Sequence, residues 1–588
     1  MLFCRINLLC LLLACGICAS TFADTGAGDD LSLEDFLERQ QDHLILNDSR
    51  TALSEALRGV EEFPDSIEMR KALLRAYAKS GNERRTLLIW DQYKELNGDN
   101  GLDEELLETV AWTIIKKGAQ SSSVVPQYFS LIGSALTQDA YAVEIVEAGM
   151  ANSSIVLRLA AVKMVTLLRD RRLINRVMEQ AIEDQSWQVR YEAIKVLGGL
   201  EVEQARGLLE SIIASEAVEA QERSAAIQAL VKIRRGVTKE EIEGLAVRNR
   251  FGLRVLAADL AGHFGKADAQ HVLGRLTTDS HPHVRASALR ALGLLEHRDV
   301  EKCVDWAGRA LEDADKSVKV TAAFLMILVD HERGVEAFRE LFDESVQKRW
   351  EHYAAAALAA AGEAGIALAK EVHSGSQDLF VRANLALGLI SHRVNVDVAA
   401  ESLRELFIEH HGKIAFDEDS AGGFRVLSSS RVRNMSGMKN YPGLVDQMAR
   451  LELLDVLSMV EHPKAQETIR EYLLETDWRL MGEAAALILR EGDEGMHDLL
   501  RALLEDENHR VRVAAALVLA VMGRDLEVLS VLREAYDEVD REHKIQILDA
   551  LGHLKSRDSI DFLERGLGES SQTLRIVAAS SLLRCLRG

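Results

Sequence analysis

The chain is predicted to be all-α, an α-solenoid of about 13 to 14 helical hairpins, and three observations carry that expectation. One phrase recurs about every 32 residues: a small or acidic residue, four others, an aliphatic next to a basic residue, then small apolar positions. Within each period the apolar residues fall at i, i+3, i+4 and i+7, the spacing of one helix face. Only five Pro and 5 % aromatics occur in 588 residues, whereas 47 % are hydrophobic, which suits stacked thin layers rather than one large core.

The clearest copy reads Asp279, Val284, Arg285, Ala288, Ala291, Leu292, Gly293. Others start at Asp184, with Val189, Arg190 and Ala193, and at Asp506, with Val511, Arg512 and Ala515. The basic position is occupied by Arg158, Arg190, Arg223, Arg254, Arg285, Lys319, Arg349, Arg382, Arg450, Arg479, Arg512, Lys544 and Arg575. The spacing is 29 to 34 residues, apart from one doubled gap between Arg382 and Arg450. The stretches upstream, such as Ile174 to Ile182 and Ala269 to Leu276, are amphipathic too, so each unit reads as two antiparallel helices.

Each recurrent residue has a physical task in such a hairpin. The short acid (Asp184, Asp279, Asp313, Asp506, or Asn152) can accept backbone N–H groups at the turn between the helices. Pro282 fits a first helical turn, where its missing N–H has no partner to lose. Ala288 and its equivalents let helices approach closely, and Gly198, Gly293 and Gly552 are expected to end helices in the left-handed conformation. The motif Arg is expected to bond carbonyls or an acid of the adjoining unit, a structural role.

The Val-Arg-x-x-Ala-x-x-Ala-Leu-Gly phrase resembles the HEAT repeat, in the short form also found in phycobilisome lyases. The resemblance covers about residues 120 to 588. It implies a solenoid that binds proteins, with the bilin lyases as the catalytic exception. Departures occur where Arg349 is followed by His352, Arg382 by Leu385 and Arg450 by Leu453, and those units are expected to pack loosely or bend the array.

The amino terminus is a separate matter. Residues 1–23 carry one positive charge, Arg5, then an apolar run to Ala19, the pattern of an export signal and too short to span a bilayer. Two processing readings stay open. Thr21-Phe22-Ala23 suits cleavage before Asp24, whereas Leu12-Leu13-Ala14-Cys15-Gly16 resembles a bacterial lipobox that would leave Cys15 lipid-modified after a signal of residues 1–14. The expected location is the periplasm or the bacterial envelope. Residues 24–34 are expected to form a disordered leader. In residues 35–119 the pattern Ala52, Gly59, Pro64, Leu73, Tyr77, Gly81, Trp90 resembles a tetratricopeptide repeat, with Leu74, Thr86 and Tyr93 departing from it; the other reading is an irregular helical cap.

The doubled gap holds an insertion at 412–442 that breaks the period with Gly412, Gly422-Gly423, three serines and Pro442. It is expected to be an irregular loop. Its Arg425, Arg431, Arg433 and Lys439 form a basic tongue in an acidic chain, either a partner-binding loop or a segment that folds back on the solenoid.

The function classes narrow accordingly. A formal net charge of −23 repels phosphate backbones, so no nucleic acid is expected, and a membrane is approached only through a lipid anchor. Ser436-Gly437-Met438-Lys439 matches Ser-x-x-Lys but lacks the mixed fold that motif needs. His281, His283, His410 and His411 have no ligand set around them, and Cys303 and Cys585, counted about nine repeats apart, are too distant to bridge. No cofactor, metal or catalytic residue is expected. The function read from these features is a non-catalytic scaffold for one or more proteins along an extended acidic surface, with a lyase-like or chaperone-like enzyme as the alternative.

Overall fold

The computed structural model describes residues 31–98, 101–215, 217–343, 348–417, 423–430, 441–475, 494–523 and 525–588. Signal, Cys15, Arg431, Arg433, Lys439 and Arg479 lie outside the described residues. The chain divides into two compact units, residues 1–113 and 114–588, a boundary a few residues before the expected one and inside a helix.

The first unit contains α1 (Leu33–Ile45), α2 (Ser49–Glu62), α3 (Ile67–Lys79), α4 (Glu83–Asn97) and the start of α5 (Glu104–Ala119). Helix α1 begins inside the segment expected to be a disordered leader. The reason is a capping box: Ser32 Oγ accepts from the Asp35 N–H at 3.2 Å and the Asp35 carboxylate accepts from the Ser32 N–H at 2.9 Å. Phe36 on the opposite face is buried and meets Phe63 edge-on with ring centres 6.3 Å apart, which fastens the helix to its neighbour. Gly59 is required by close approach, since a side chain there would strike Met69 and Phe36.

The second unit is an array of hairpins in which a first (A) helix is followed by a second (B) helix. The A helices after α5 are α7 (Ala140–Met150), α9 (Arg171–Glu183), α11 (Arg206–Ala214), α13 (Lys239–Ala246), α15 (Gln270–Leu276), α17 (Val300–Ala310), α19 (His331–Asp343), α21 (Ile366–Gly375) and α23 (Val396–Glu409). The B helices are α6 (Val124–Leu136), α8 (Ile155–Leu168), α10 (Trp187–Gly199), α12 (Ala220–Ile233), α14 (Phe251–His263), α16 (Pro282–Leu294), α18 (Lys316–Val329), α20 (Lys348–Ala360), α22 (Leu379–Ser391) and α24 (Tyr441–Met459). The series continues through α25 (Ala465–Glu475), α26 (Glu494–Ala502), α27 (His509–Met522), α28 (Val528–Ala535), α29 (Arg541–Leu554), α30 (Ile560–Gly566) and α31 (Gln572–Leu586), of which α27, α29 and α31 are B helices. The fold is the all-α solenoid expected. Among the described residues, no helix is long and apolar enough to cross a membrane.

B helices lie against one another along most of the array, with the β-hairpin between α22 and α24, whereas A helices mainly touch their own B helix, so the array curves with the B layer inside. Small residues allow the close B–B approach. A Cβ on Gly198 would lie 2.6 Å from the Ala229 Cβ, and one on Gly388 would lie 2.6 Å from the Ala359 Cβ. The glycines expected to end helices therefore serve another purpose. Gly198, Gly293 and Gly552 sit inside helices facing Ala229, Phe324 and Ser581, and the left-handed positions after two of those helices go to Glu201 and Lys555. One contiguous cluster of buried side chains runs from Leu131 to Met326.

The array is not an open ribbon. Helix α31 packs against α6, at the other end of the same unit. A Cβ on Gly133 would lie 2.8 Å from the Ser580 Cβ, the same small-residue contact found between interior B helices. Arg587 pairs with Asp139 beside it. Thr573, Ile576, Ser580, Leu583 and Cys585 are all buried, so α31 has no solvated flank of the kind a terminal repeat needs. The sequence expectation of an extended surface fails because the last helix carries an interior pattern, Ile576-Val577-Ala578-Ala579, instead of a polar cap.

The insertion at 412–442 is also more ordered than expected. Strands β1 (Ile414–Asp417) and β2 (Val426–Ser429) pair antiparallel in the register Ile414 with Ser429 and Asp417 with Val426, and α24 begins at Tyr441. Ile414, Ala415, Phe424, Val426 and Leu427 are buried. That apolar set supplies the docking energy that the glycines and serines of the segment conceal at sequence level.

Candidate functional site

Two features of the inner and edge surfaces are built from the repeats themselves. The first is a ladder of arginines and acids at the A–B turns. Arg158 Nε and Nη2 reach the two Asp184 carboxylate oxygens at 2.8 and 2.9 Å, while its Nη1 donates to the carbonyls of Asn152 and Ser153 at 3.0 and 3.1 Å. Arg254 holds Asp279 in the same fork at 2.6 and 2.8 Å, and Arg285 holds Asp313 at 2.7 and 2.8 Å. Arg190 takes Glu222 instead at 2.7 and 3.1 Å. These four arginines thus each link the acid of the next repeat to the turn carbonyls of their own, a bidentate geometry that only guanidinium supplies.

The acids also organise their turns. Asp184 accepts from the Ser186 N–H at 2.8 Å, Asp279 from His281 at 2.9 Å, Asp313 from Asp315 at 2.8 Å and Asp506 from Asn508 at 2.8 Å. Burial acts to raise the carboxyls of Asp279 and Asp313, and the arginine forks and turn N–H groups outweigh it, leaving both below the ordinary value of 3.8.

The remaining motif positions vary. Arg512 and Arg575 donate to their own turn carbonyls, Asp506 O at 2.8 Å and Glu569 O at 2.7 Å, and Arg470, off the recurrent position, grips Asp506 at 2.6 Å. Arg223 reaches the Val218 carbonyl at 2.6 Å. Arg382 bonds Ser402 Oγ at 2.8 Å. Lys319 contributes its charge near Asp313, and Lys544 lies over the Tyr536 ring at 4.5 Å. In the units expected to pack loosely or bend the array, the three departing side chains are themselves buried. Leu385 and Leu453 are buried, and buried His352 meets Asp378 at 3.1 Å. Burial opposes ionisation of Asp378, but His352 and the N–H groups of Val381 and Phe380 hold its carboxyl at about 2.

The second feature is the β-hairpin, which lies across five consecutive B helices. Arg290 of α16 donates to the Gly423 carbonyl at 3.0 Å. Phe324 of α18 meets Phe424 edge-on at 5.1 Å. Tyr353 of α20 donates its hydroxyl to Asp417 at 2.7 Å. Asn384 of α22 makes a two-way bond with the strand backbone, accepting from the Leu427 N–H at 2.9 Å and donating to the Leu427 carbonyl at 2.8 Å. Asp446 of α24 accepts from the Ile414 N–H at 2.8 Å.

This geometry changes the reading of the basic tongue. Arg425, expected as a partner contact, stacks over the Phe416 ring at 4.0 Å and pairs with Glu452. It is engaged by its own chain because β1 and α24 place an aromatic face and a carboxylate beside it. Of the two expectations for the segment, the described part folds back.

The other chemistry-bearing residues are accounted for by packing. His281 stacks on Phe251 with ring centres 3.8 Å apart and caps α16 through its ring nitrogen, and His410 lies edge-on to Phe380 at 4.9 Å. Cys303 and Cys585 are free, buried thiols, each pushed up to about 11 by burial. Because the array closes, counting repeats along the sequence does not measure their separation. Among the described residues, no three His, Cys, Asp or Glu side chains converge as metal ligands. Sequence reasoning missed Asn384, Tyr353, Asp417 and Glu222. Only Glu222 left a signal, an acid directly before a motif Arg where the usual Asp is absent.

Comparison with known proteins agrees with the repeat assignment. Residues 143–231 and 496–583 match the family of HEAT repeats. A search of curated proteins found no match. Among solved structures, the chain is similar to UNC-45 from Drosophila melanogaster, with 14 % identity over 94 % of this chain and 82 % of that one and a TM-score of 0.33. It is similar to the myosin chaperone UNC-45 from C. elegans in complex with an Hsp90 peptide, with 14 % identity over 94 % and 81 % and a TM-score of 0.33. It is also similar to the karyopherin Kap121p bound to the extreme C-terminus of the protein phosphatase Cdc14p, with 13 % identity over 95 % and 72 % and a TM-score of 0.31. The chain carries HEAT repeats arranged as a helical solenoid.

Proposed function

We propose that this protein is a non-catalytic scaffold that holds a protein partner in the bacterial envelope. The observation that carries the reading is Asn384 with its neighbours: the B-helix face already holds an extended segment of its own chain by backbone bonds and an aromatic contact. A surface built that way recognises polypeptide by shape and main-chain pairing, and its energy comes from burial and bonds already satisfied rather than from a reacting group. The charged residues along the turns are spent on one another in the Arg–acid ladder, which leaves the scaffold rigid and its chemistry inert. Export is part of the proposal. It rests on the one positive charge and the apolar run within residues 1–23, and the partner is expected among exported or membrane-surface proteins.

The test is chemical cross-linking in the native host followed by affinity capture and peptide mapping. The reading expects a reproducible partner whose cross-links fall on the second unit. Recovery of the protein with nothing above an unrelated exported control would contradict it. The mass of the mature protein from the same preparation tests export: a chain starting at Asp24 or at a lipid-modified Cys15 supports it, and one retaining Met1 does not.

A further inference from the structure

Among the exposed apolar side chains of the second unit, one group gathers on a single edge of the early repeats, while Tyr141, at the start of α7, stands on the other. Val124, Ile155, Trp187 and Phe251 are each the first residue of a B helix, in α6, α8, α10 and α14, and each is between 37 and 44 % exposed. Ile182 and Val247, more exposed still, end the A helices that precede two of them. All six therefore lie on the edge formed by the A–B turns. Beyond Phe251 the same first position holds Pro282, Lys316 and Lys348, and the large exposed apolar residues, such as Leu294 and Val300, lie on the opposite edge. The row is confined to the early repeats: it runs through the consecutive B helices α6, α8 and α10, is interrupted at α12, which begins with Ala220, and resumes at α14.

Charge is sparse beside the first members of the row. In a chain of net charge −23 with 28 % charged residues, turns 120–125, 151–155 and 184–188 contain one charged side chain, Asp184, and Arg158 neutralises it, whereas turn 247–251 beside Phe251 carries Arg248 and Arg250. The turn backbone is satisfied as well. Arg158 holds the carbonyls of Asn152 and Ser153, Arg190 that of Asp184, and Arg254 those of Arg248 and Asn249. An extended strand laid here would find these carbonyls already taken, whereas a helix, whose backbone bonds are internal, needs only apolar contact. Spacing agrees: adjoining helices stand roughly 8 to 10 Å apart, close to the rise of about seven residues of α-helix, so a heptad-spaced apolar stripe meets Val124, Ile155 and Trp187 in turn.

Deepening the scaffold reading and resting on it, we infer that this A–B turn edge of the early repeats is the docking surface for an amphipathic helix of the partner, with an apolar stripe at heptad spacing and uncharged flanks. Area decides against a second copy of this chain as occupant. Six partly exposed side chains offer on the order of 500 Å², below the roughly 800 Å² per partner of a stable interface, yet enough for one helix face. Phe251 is held rigid by its stack on His281, so part of the ordering cost is met before binding.

The experiment measures fluorescence anisotropy of a labelled 21-residue synthetic peptide, with Leu at one position per heptad and Ala, Gln and Ser elsewhere, titrated with the full-length protein. A companion peptide of the same composition with two central Pro residues cannot form the helix. The helical peptide is expected to bind, the Pro peptide to bind at least about tenfold more weakly, and Ile155→Ser with Trp187→Ser to weaken the helical peptide by about tenfold or more. Leu294→Ser with Val300→Ser on the other edge is expected to change nothing, and thermal melts of both pairs should match the unsubstituted protein. No binding of the helical peptide, equal binding of the Pro peptide, or full binding by the Ile155/Trp187 variant overturns the inference. So does self-association of the protein that this variant abolishes, which assigns the row to a second copy. Partner capture that persists unchanged in the variant removes this edge and leaves the scaffold intact; capture of nothing by either protein removes the scaffold itself.

Discussion

Arg285 shows what the recurrent basic residue does for the array. Its fork to Asp313 and its bond to the Asp279 carbonyl at 2.8 Å tie two repeats together at a half-buried site, where an abandoned carboxylate costs more than the pair gives. Arg285→Ala is expected to lower stability by about 1 to 3 kcal/mol in denaturant unfolding, and the Arg285→Ala, Asp313→Ala double mutant to cost less than the sum of the single changes. Additive losses would show that the fork contributes nothing. The same acids set a pH limit. Asp279, Asp313 and Asp378 have carboxyls below the ordinary 3.8, Asp378 at about 2, so the folded state binds fewer protons than the unfolded one. Their stabilisation is complete above about pH 4 and is lost as pH falls through the folded values toward 2. Melting temperature should drop steeply between pH 4 and 2, and Asp378→Asn should flatten that drop while lowering stability at neutral pH. The recurrent Arg was legible from spacing alone. The acid it takes was not, because Glu222 and Asp313 stand in the following repeat, at positions only the stacked geometry brings within reach.

Among the elements, the hairpin departs most from what the sequence suggested. Composition rich in Gly, Ser and charge reads as an open loop, and only four-residue strands are present, too short for period-two alternation to register. What anchors them is distant in sequence: Asn384, Phe324 and Tyr353 belong to helices whose own patterns are satisfied without the hairpin. Asn384→Ala leaves the buried Leu427 N–H and carbonyl without their partner and is expected to cost about 2 to 4 kcal/mol. Thermal unfolding checks it, and a melt within a degree of the unsubstituted protein would deny the bond any weight. Replacing residues 412–430 by a short Gly/Ser linker is expected to lower the melting temperature and raise dye binding by exposed apolar surface, since Phe324 loses its cover. An unchanged melt with no new dye binding would mean that the strap is only resting on the helices. The glycines make the same point at smaller scale. Gly198 and Gly552 were visible as recurring small residues of the phrase, but whether a small residue serves a turn or a contact depends on what stands opposite, here Ala229 and Ser581.

At the scale of the whole second unit, the helical repeat, its period and its A–B order were readable from one face pattern, because each hairpin contacts chiefly its neighbours. Closure was not readable, since it is a sum of small rotations per repeat and no single residue encodes it. Its trace lies in the ends: α31 repeats the interior pattern, and Gly133 of α6 offers the small residue that an interior partner would need. A closed array has no free terminal repeat to fray, so opening it requires breaking the α6–α31 seam or an interior B–B contact of the same kind. That seam tests the account most directly. Gly133→Cys combined with Ser580→Cys places two thiols from opposite ends of the unit, where the Cβ–Cβ separation of 2.8 Å must widen by about 1 Å to reach disulfide geometry, a parting of α6 and α31 that still leaves the seam in place. The protein oxidised at low concentration should form an intramolecular disulfide in nearly every monomer, seen as a linked peptide by mass spectrometry and a faster non-reduced gel band. Two free thiols, or bridges only between molecules, would contradict the closed array.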